Sequence, residues 1–203
     1  MKNWINGMTI NICILSIIMT SVGCKEKTKE TPVADNNEEP ETIVAVTSPE
    51  WSQLFIKNEG WFGGDGIFGI PMDGKEFVAA TDSTVTLFTF GDTMIGHHDG
   101  QSLLPEDFLM INNSVGILKG QEPNANNITF HWKEGEGQQA KALFKPNTPN
   151  SRPHDYYWLG DGFVNTEGDE NLYVFAYPVR EKDTTGIGGF NFEQVGVNLL
   201  QIP

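Results

Sequence analysis

Three short segments place an aspartate beside glycine and aromatic residues, and these are the positions at which this sequence could do chemistry. They are Gly63-Gly64-Asp65-Gly66, Phe90-Gly91-Asp92-Thr93 and Tyr156-Tyr157-Trp158-Leu159-Gly160-Asp161-Gly162. Glycine on either side of a carboxylate permits tight backbone turns and leaves room for a bulky ligand. The alternative interpretation is ordinary turn chemistry, in which each Asp side chain bonds its own backbone.

Paired carboxylates beside aromatic rings are what glycoside hydrolysis requires. One acid, with a raised pKa, protonates the leaving oxygen, while the other activates water or attacks the anomeric carbon. The aromatic faces of Trp61, Tyr157 and Trp158 would stack on sugar rings. Three aromatic-flanked aspartates favour this chemistry over three unrelated turns.

Histidines and amides near these motifs add further candidates. His97 and His98 are adjacent, and adjacent strand residues face opposite sides, so the pair does not predict a shared metal ion. We interpret them as part of a solvated loop from which His97 could reach the cleft. Asn113 lies where amides bond sugar hydroxyls or backbone turns. No cofactor is predicted. Carboxylates around a central cavity would suit calcium, but the sequence has no calcium-loop pattern.

Composition excludes several other classes of function. The formal charge is −14, and removal of residues 1–23, whose one charged side chain is Lys2, gives −15 over 180 residues. Such an acidic chain is a poor candidate for binding nucleic acid or anionic lipid surfaces. The sequence has no Gly-rich phosphate loop, Gly-x-Ser-x-Gly elbow or His-Glu-x-x-His motif, so nucleotide hydrolysis, esterase chemistry and zinc proteolysis have no support.

The N-terminus is typical of an exported lipoprotein. Residues 1–23 contain an apolar run at 8–19, which is shorter than the roughly 20 residues that span a bilayer as a helix. Ser21-Val22-Gly23-Cys24 resembles a lipoprotein signal-peptidase site. We therefore expect lipid on Cys24 and anchorage to a membrane of the bacterial cell envelope, outside the cytoplasm, rather than an ordinary signal peptide or an uncleaved anchor. Cys13 lies in the discarded segment, so the mature chain has no cysteine pair for a disulfide or a metal.

Two regions follow the signal. Residues 24–45 are rich in Lys, Glu, Asn, Pro and Thr and lack aromatics, which predicts a disordered, solvated tether. Residues 46–203 hold nearly all the Phe and Gly and predict the folded domain.

The folded region reads as all-β. Short alternating or aromatic-rich segments are separated by turn pairs such as Asp73-Gly74, Asp99-Gly100, Lys119-Gly120 and Glu167-Gly168. The predicted strands cover residues 67–72, 75–80, 84–90, 114–118, 127–132, 171–177 and 195–202.

A weak internal repeat favours a β-propeller. Trp61-Phe62-Gly63-Gly64-Asp65-Gly66 recurs as Trp158-Leu159-Gly160-Asp161-Gly162, with the two aspartates 96 residues apart (161 − 65). Half that spacing is close to one propeller blade, so we expect these motifs two blades apart. A β-sandwich with coincidental Gly-Asp-Gly turns is the alternative. Residues 46–203 would supply about three blades where a ring needs roughly four to eight, so we expect the front part of a longer protein.

The motif order resembles a known family. Gly60-Trp61-Phe62-Gly63-Gly64-Asp65-Gly66, the Ile70-Pro71-Met72-Asp73-Gly74 hairpin, Leu87-Phe88-Thr89-Phe90-Gly91-Asp92-Thr93, Asn112-Asn113-Ser114-Val115 and Tyr157-Trp158-Leu159-Gly160-Asp161-Gly162 are similar to segments of an uncharacterised family of secreted five-bladed β-propellers. That family is allied to the endo-D-arabinanases and, more distantly, to the arabinanase, xylosidase and levansucrase propellers. The likeness covers about residues 58–203.

The resemblance implies a carbohydrate site in a central funnel. Asp65 and Asp92 would be the catalytic pair, Asp65 as base or nucleophile and Asp92 as acid, or the reverse. Asp161 would orient substrate or tune a pKa, and Asn113 and Trp158 would bind sugar.

Three functions remain open from the sequence. The first is a lipid-anchored glycoside hydrolase acting on polysaccharide, and the second is a non-catalytic glycan-binding propeller. The third, a structural or protein-binding lipoprotein, predicts Asp65 and Asp92 on opposite faces or in exposed turns.

Overall fold

The computed structural model describes residues 44–100, 104–182 and 190–203. The predicted signal peptide, Cys24 and almost all of the predicted tether lie outside the described residues. Over the described ranges, no helix is both long and apolar enough to cross a membrane. The folded unit comprises Val46–Pro203.

Short antiparallel strands make up this unit. The helical segments in the described ranges are α1 (Pro49–Ser52) and the single 3₁₀ turns Gln53–Phe55, Pro105–Asp107 and Glu136–Gln138. The strands are β1 (Glu59–Gly64), β2 (Phe68–Pro71), β3 (Val85–Phe90), β4 (Thr93–His97), β5 (Phe108–Ile111), β6 (Ser114–Lys119), β7 (Ile128–His131), β8 (Lys133–Glu134), β9 (Ala140–Lys141), β10 (Tyr156–Val164), β11 (Leu172–Glu181), β12 (Phe192–Gln194) and β13 (Asn198–Ile202). The prediction of an all-β fold is confirmed.

The chain crosses between the first two sheets at three places, which lie side by side. The first sheet has the order β1-β4-β5 and the second has the order β2-β3-β6-β7. The chain crosses between them at residues 65–67, 91–92 and 112–113, which we call the sheet break. Backbone bonds from the Asp65 amide to the Asp92 carbonyl (3.1 Å) and from the Gly91 amide to the Asp65 carbonyl (2.9 Å) connect the first two crossings. The break therefore gathers chemically active residues from distant parts of the sequence.

The second sheet packs against a third, in which β10 pairs with β11 and both β12 and β13 pair with β11. Side chains alternate along β3, so Leu87 enters the core shared with the third sheet while Phe88 and Phe90 enter the core on the other face. The shared core consists of Ile70, Leu87, Val115, Tyr157, Leu159, Leu172, Val174 and Ala176. The opposite face is covered by Leu54, Phe55 and Trp61. Both faces of the second sheet are thus buried.

Most predicted strands are present, but one is wrong. Strands β2, β3, β6, β7, β11 and β13 correspond to predicted segments. Residues 75–80 instead form turns and bends, with the Val78 amide bonded to the Lys75 carbonyl (3.3 Å) and Phe77 fully exposed. Because the side chain of Phe77 is not covered by a sheet, burial of apolar surface does not favour a strand in this segment.

The first motif runs from β1 into a bend at Asp65 and Gly66, whereas the second motif lies entirely within β10. In β1 the pairing register shifts between Trp61 and Gly63, and in β10 it shifts between Leu159 and Gly162, so both motifs contain β-bulges. The two motifs belong to different sheets, since β1 lies in the first sheet and β10 in the third. The expectation that the two motifs lie two blades apart stays a prediction; the residues between the two aspartates form the second sheet, strands β4 and β5 of the first sheet and the β8–β9 hairpin.

Candidate active site

The sheet break brings Asp65 and Asp92 together. Asp65 follows β1, Asp92 precedes β4, and the two residues share the backbone bonds described above. A methyl group at Gly91 would lie 2.5 Å from Oδ1 of Asp65, so the carboxylate of Asp65 rests directly against the crossing that carries Asp92. Asp65 is exposed in a bend, so the third function that the sequence leaves open, which predicts opposite faces or exposed turns for these residues, stays a prediction beside the other two.

The two carboxylates affect each other electrostatically. Partial burial raises the pKa of the Asp65 carboxyl above its usual value of 3.8, and the negative charge of Asp92 raises it further. Backbone amides of Asp92 and Asp65 offset part of this rise. Burial and the charge of Asp92 therefore both disfavour ionisation of the Asp65 carboxyl group.

Asp92 accepts side-chain hydrogen bonds from two other elements. Its Oδ1 atom accepts the indole N–H of Trp158 (2.9 Å) and, more weakly, the Nδ2 amide of Asn112 (3.4 Å). Trp158 is half-buried in β10, an edge strand of the third sheet. The site is therefore built from three crossings of the sheet break and one strand of the adjacent sheet.

Further half-buried aromatic rings surround Trp158. The ring of Tyr156 lies 6.0 Å from it and the ring of Phe192 lies 5.2 Å from it, both edge to face. Burial raises the pKa of the Tyr156 phenol above 10.0, with smaller contributions from the charges of Asp92 and Glu181. Tyr156 therefore remains a neutral hydrogen-bond donor through the physiological range.

Trp61 belongs to the core, which corrects its predicted role as a sugar platform. The residue is 3% exposed, and its ring stacks on Phe130 at 4.1 Å with a 10° interplanar angle. Its indole N–H donates to Ser114 Oγ (3.1 Å). A ring packed in this way has no free face to offer to a ligand.

A buried hydrogen-bond chain links Trp61 to the sheet break. Ser114 Oγ lies 2.9 Å from Thr93 Oγ1, whose hydroxyl donates to the Gly91 carbonyl (2.9 Å). Since the Thr93 proton is used there, Ser114 donates to Thr93, and the order is Trp61, Ser114, Thr93, Gly91. We call these four residues the anchor chain. It fixes the crossing that carries Asp92 to the interior of the first two sheets.

Asn113 and Tyr157 are also structural, which corrects their predicted roles in sugar binding. Asn113 is fully buried; its Nδ2 donates to the carbonyls of Phe144 and Tyr157 (both 2.9 Å), and its Oδ1 accepts the Phe144 amide (2.8 Å). Tyr157 is 2% exposed, and its hydroxyl accepts Nδ2 of Asn198 (2.5 Å). These polar groups are used within the protein.

Asp161 and His97 are not brought to the pair by any described contact. The carboxylate of Asp161 accepts the backbone N–H of Gly162 (2.8 Å), which is the local turn chemistry that the sequence left open. His97 lies at the far end of β4 from Asp92, about 16 Å along the strand at ~3.3 Å per residue. Its Nδ1 faces Glu59 at 3.9 Å.

Metal ligation has no support in the parts of the chain that the structure describes. Within them, no group of three or more His, Cys, Asp or Glu side chains could hold a metal ion.

Comparison with protein families gives one match. The family described as "Domain of unknown function (DUF5005)" matches residues 49–203. The chain belongs to the DUF5005 family. No curated protein matches the chain.

A solved structure resembles the DUF5005 region weakly. It is a protein from Bacteroides ovatus that is described, provisionally, as a hydrolase, with 14% sequence identity and a TM-score of 0.49. The match covers 74% of this chain and 42% of that protein. The chain thus spans less than half the length of the solved protein.

The DUF5005 region also contains site residues that the sequence analysis did not select. Tyr156, Asn112 and Phe192 contact Trp158 or Asp92, and Thr93 with Ser114 supports the crossing. The sequence does contain one signal for Tyr156. Strict alternation along β10 places Tyr156 and Trp158 on one face of the strand and Tyr157 on the other. The remaining contacts depend on which strands pair.

Proposed function

We propose that this protein is a glycoside hydrolase that acts on polysaccharide through Asp65 and Asp92. The observation that carries the proposal is the pairing of these carboxylates at the sheet break, one with a raised pKa and the other bonded to a half-exposed tryptophan. Two neighbouring carboxyl groups, one of which resists ionisation, are the pairing that cleavage of a glycosidic bond requires.

The surroundings suit a sugar substrate. Tyr156, Trp158 and Phe192 present partly exposed rings beside the pair, and aromatic faces pack well against the apolar faces of sugar rings. Tyr156 and Asn112 add hydrogen-bond donors for hydroxyl groups.

The charge of the site favours a neutral polysaccharide. Within the part of the chain that the structure describes, the charged groups that act on Asp65 and Tyr156 are the carboxylates Asp92 and Glu181. Anionic sugars such as uronates would meet repulsion here.

The arrangement of sheets supports a propeller as the full architecture of the domain. The second and third sheets pack face to face with a continuous apolar core, and β10 lies against β2, so each sheet contributes an edge strand to the same side. Neighbouring propeller blades have this relation, with the inner strands around a central channel.

We propose further that lipid on Cys24 holds the protein at the extracytoplasmic face of a bacterial membrane. The support is the signal sequence and the position of Cys24 after Gly23. Metabolic labelling with a fatty-acid analogue tests this directly. The wild-type chain should incorporate label and fractionate with membranes, and a Cys24→Ala variant should do neither.

A non-catalytic glycan-binding protein is the second candidate. The half-exposed cluster of Tyr156, Trp158 and Phe192 favours it, because these rings would hold sugar whether or not the carboxylates react.

Replacement of each carboxylate separates the two candidates. The full chain is incubated with a panel of neutral polysaccharides and with polygalacturonate as an anionic comparison, and new reducing ends are measured. A hydrolase loses at least about 100-fold in turnover in Asp65→Asn and Asp92→Asn while it still binds the polysaccharide. Asp73→Asn is the matched control, since Asp73 is an exposed turn residue whose carboxylate accepts the Lys75 amide. Binding without turnover in the wild type would identify a glycan-binding protein instead.

A further inference from the structure

We propose that Thr89 is a positioning residue that, together with Asn113, holds strand β10 against the sheet break so that Trp158 reaches Asp92. The catalytic meaning of this placement rests on the proposed function, because Asp92 is one of the two proposed catalytic carboxylates. The placement of Trp158 itself is a property of the protein without substrate and can be measured in that state.

Two hydrogen bonds, which we call the β10 clamp, hold the strand on both sides of Trp158. The hydroxyl of Thr89 donates to the carbonyl of Gly160 (2.8 Å), and Nδ2 of Asn113 donates to the carbonyl of Tyr157 (2.9 Å). Thr89 lies in β3 just before the second crossing of the sheet break, and Asn113 lies in the third crossing. Donors from two crossings therefore fix the two carbonyls that flank the segment carrying Trp158.

Both donors of the clamp are fully buried. Thr89 and Asn113 have 0% exposure, and Thr89 shares the face of β3 that carries Leu87 toward the third sheet. Among the described strands, β10 pairs with β11 alone, so carbonyls on its other edge need donors from elsewhere. A buried carbonyl without a partner is costly, and a fully bonded polar group in a core specifies one arrangement. The clamp therefore selects one position of β10 against the second sheet.

The clamped segment brings Trp158 to the crossing that carries Asp92. The indole N–H donates to Oδ1 of Asp92 (2.9 Å), and a methyl group at Gly91 would lie 3.6 Å from Cδ1 of Trp158. The same methyl group would lie 2.5 Å from Oδ1 of Asp65, so the indole ring and both acidic residues meet at one crossing.

The position of β10 matters because the indole and the carboxylates belong to different sheets. Trp158 lies in the third sheet, whereas Asp65 and Asp92 lie where the chain crosses between the first two. A small displacement of β10 would separate the indole N–H from Asp92, and misplacement by about 1 Å in a catalytic site can cost ~100-fold in rate. Thr89 thus acts through Trp158, since its own hydroxyl is used within the core.

The test is Thr89→Val, in which valine keeps the branched shape of threonine but has no hydroxyl. The full mature chain carries Cys24→Ser, and Trp158→Phe identifies the indole N–H resonance of Trp158 by NMR. Hydrogen exchange of that N–H should become about 3–10-fold faster in Thr89→Val, the equivalent of one hydrogen bond. The indole N–H of Trp61 is the internal reference and should keep its parent rate, because it donates to Ser114 in the anchor chain.

Two further variants separate positioning from a loss of stability. Thr89→Ser removes a buried methyl group and should lower Tm, yet it keeps the donor and should keep the parent exchange rate at Trp158. Thr84→Val is the matched control, since Thr84 is also buried but its hydroxyl oxygen accepts the Thr81 amide (2.8 Å) rather than contacting β10. The proposal is overturned if Thr89→Val leaves exchange at Trp158 unchanged, or if Trp61 and Trp158 accelerate equally.

A second measurement needs no substitution in the core. In the parent chain, the hydroxyl proton of Thr89 should give a resolved NMR resonance in slow exchange with water, because it is buried and bonded to Gly160. It should also show nuclear Overhauser contacts to protons of Gly160 and Asp161. A Thr89 hydroxyl in fast exchange with water would overturn the proposal even if Thr89→Val does not fold.

Activity supplies a third readout that separates the two proposals. If the protein is a hydrolase, kcat should fall about 10-fold or more in Thr89→Val and return to within about twofold of the parent value in Thr89→Ser. Absence of turnover in the parent chain would refute the hydrolase proposal, and the exchange measurement would still decide the placement of Trp158. Equal turnover in the parent chain and Thr89→Val would refute the positioning role and leave the hydrolase proposal intact.

Discussion

Replacing Trp61 by alanine should unfold the domain at a much lower temperature. Trp61 is 3% exposed, stacks on Phe130 at 4.1 Å and lies 4.9 Å from the ring of Phe90. Truncation removes this packing and leaves a large cavity among aromatic rings that cannot close over it. Substitutions of this kind cost about 3–5 kcal/mol.

The expected shift in Tm follows from the size of the domain. Each kcal/mol corresponds to roughly 2–4 °C for a domain of 150–250 residues, so Trp61→Ala should lower Tm by about 6–20 °C. Loss of the bond to Ser114 is part of this effect, since it breaks the first link of the anchor chain. The assay is thermal and urea unfolding followed by circular dichroism, which does not depend on tryptophan fluorescence.

Trp51→Ala is the control for this experiment. Trp51 lies in α1 with 38% of its surface exposed, and its truncation should cost about 1 kcal/mol or less. If Trp61→Ala has a Tm within about 2 °C of the parent chain but weakens polysaccharide binding, Trp61 is a ligand platform after all and the assignment to the core is refuted.

Three further substitutions test the electrostatics and geometry. Asp65→Asn should raise Tm at neutral pH and have no such effect below pH 3.8, because a raised pKa means that ionised Asp65 destabilises the fold; a Tm profile across pH measures this, and stabilisation confined to acid would contradict it. Asp155→Asn should lower Tm by several degrees at neutral pH and progressively less as pH falls below 3.8, because the Arg180 hydrogen bond lowers the pKa of the buried Asp155 carboxyl; an undiminished effect in acid would argue against that ion pair. Gly91→Ala should lower turnover or glycan affinity at least about 10-fold with little change in Tm, because the added methyl group displaces the Asp65 carboxylate; unchanged function would show that the position of this carboxylate is unimportant.

The sequence identified the strand content and the acidic residues but not how they pair. Alternating apolar residues in β3 and β11 predict strands because each strand has a buried face. The pairing of Asp65 with Asp92 depends on the register of β1 with β4, which local pattern does not encode. Residues 75–80 have the composition of a strand but do not form one, because apolar composition alone does not supply a neighbouring strand.

The two tryptophan motifs also show that local sequence does not determine how a residue packs. Trp61 and Trp158 have similar glycine and aspartate neighbours, yet one stacks in the core and the other donates to Asp92. Both residues lie on edge strands, but Trp61 packs in a buried cluster with Ile95 and Ile111, whereas Trp158 lies half-buried on β10 of the third sheet. What distinguishes them is the sheet surface against which each strand packs.

The anchor chain has a consequence for how this protein should fail on heating. In many proteins the functional site loses its structure first on heating, because mobile loops form the site while the interior stays folded. Here hydrogen bonds through Thr93 and Ser114 connect the crossing that carries Asp92 to the buried ring of Trp61. Ligand recognition and global structure should consequently melt in a single event, with coincident midpoints, and no intermediate temperature should yield a folded but inert protein.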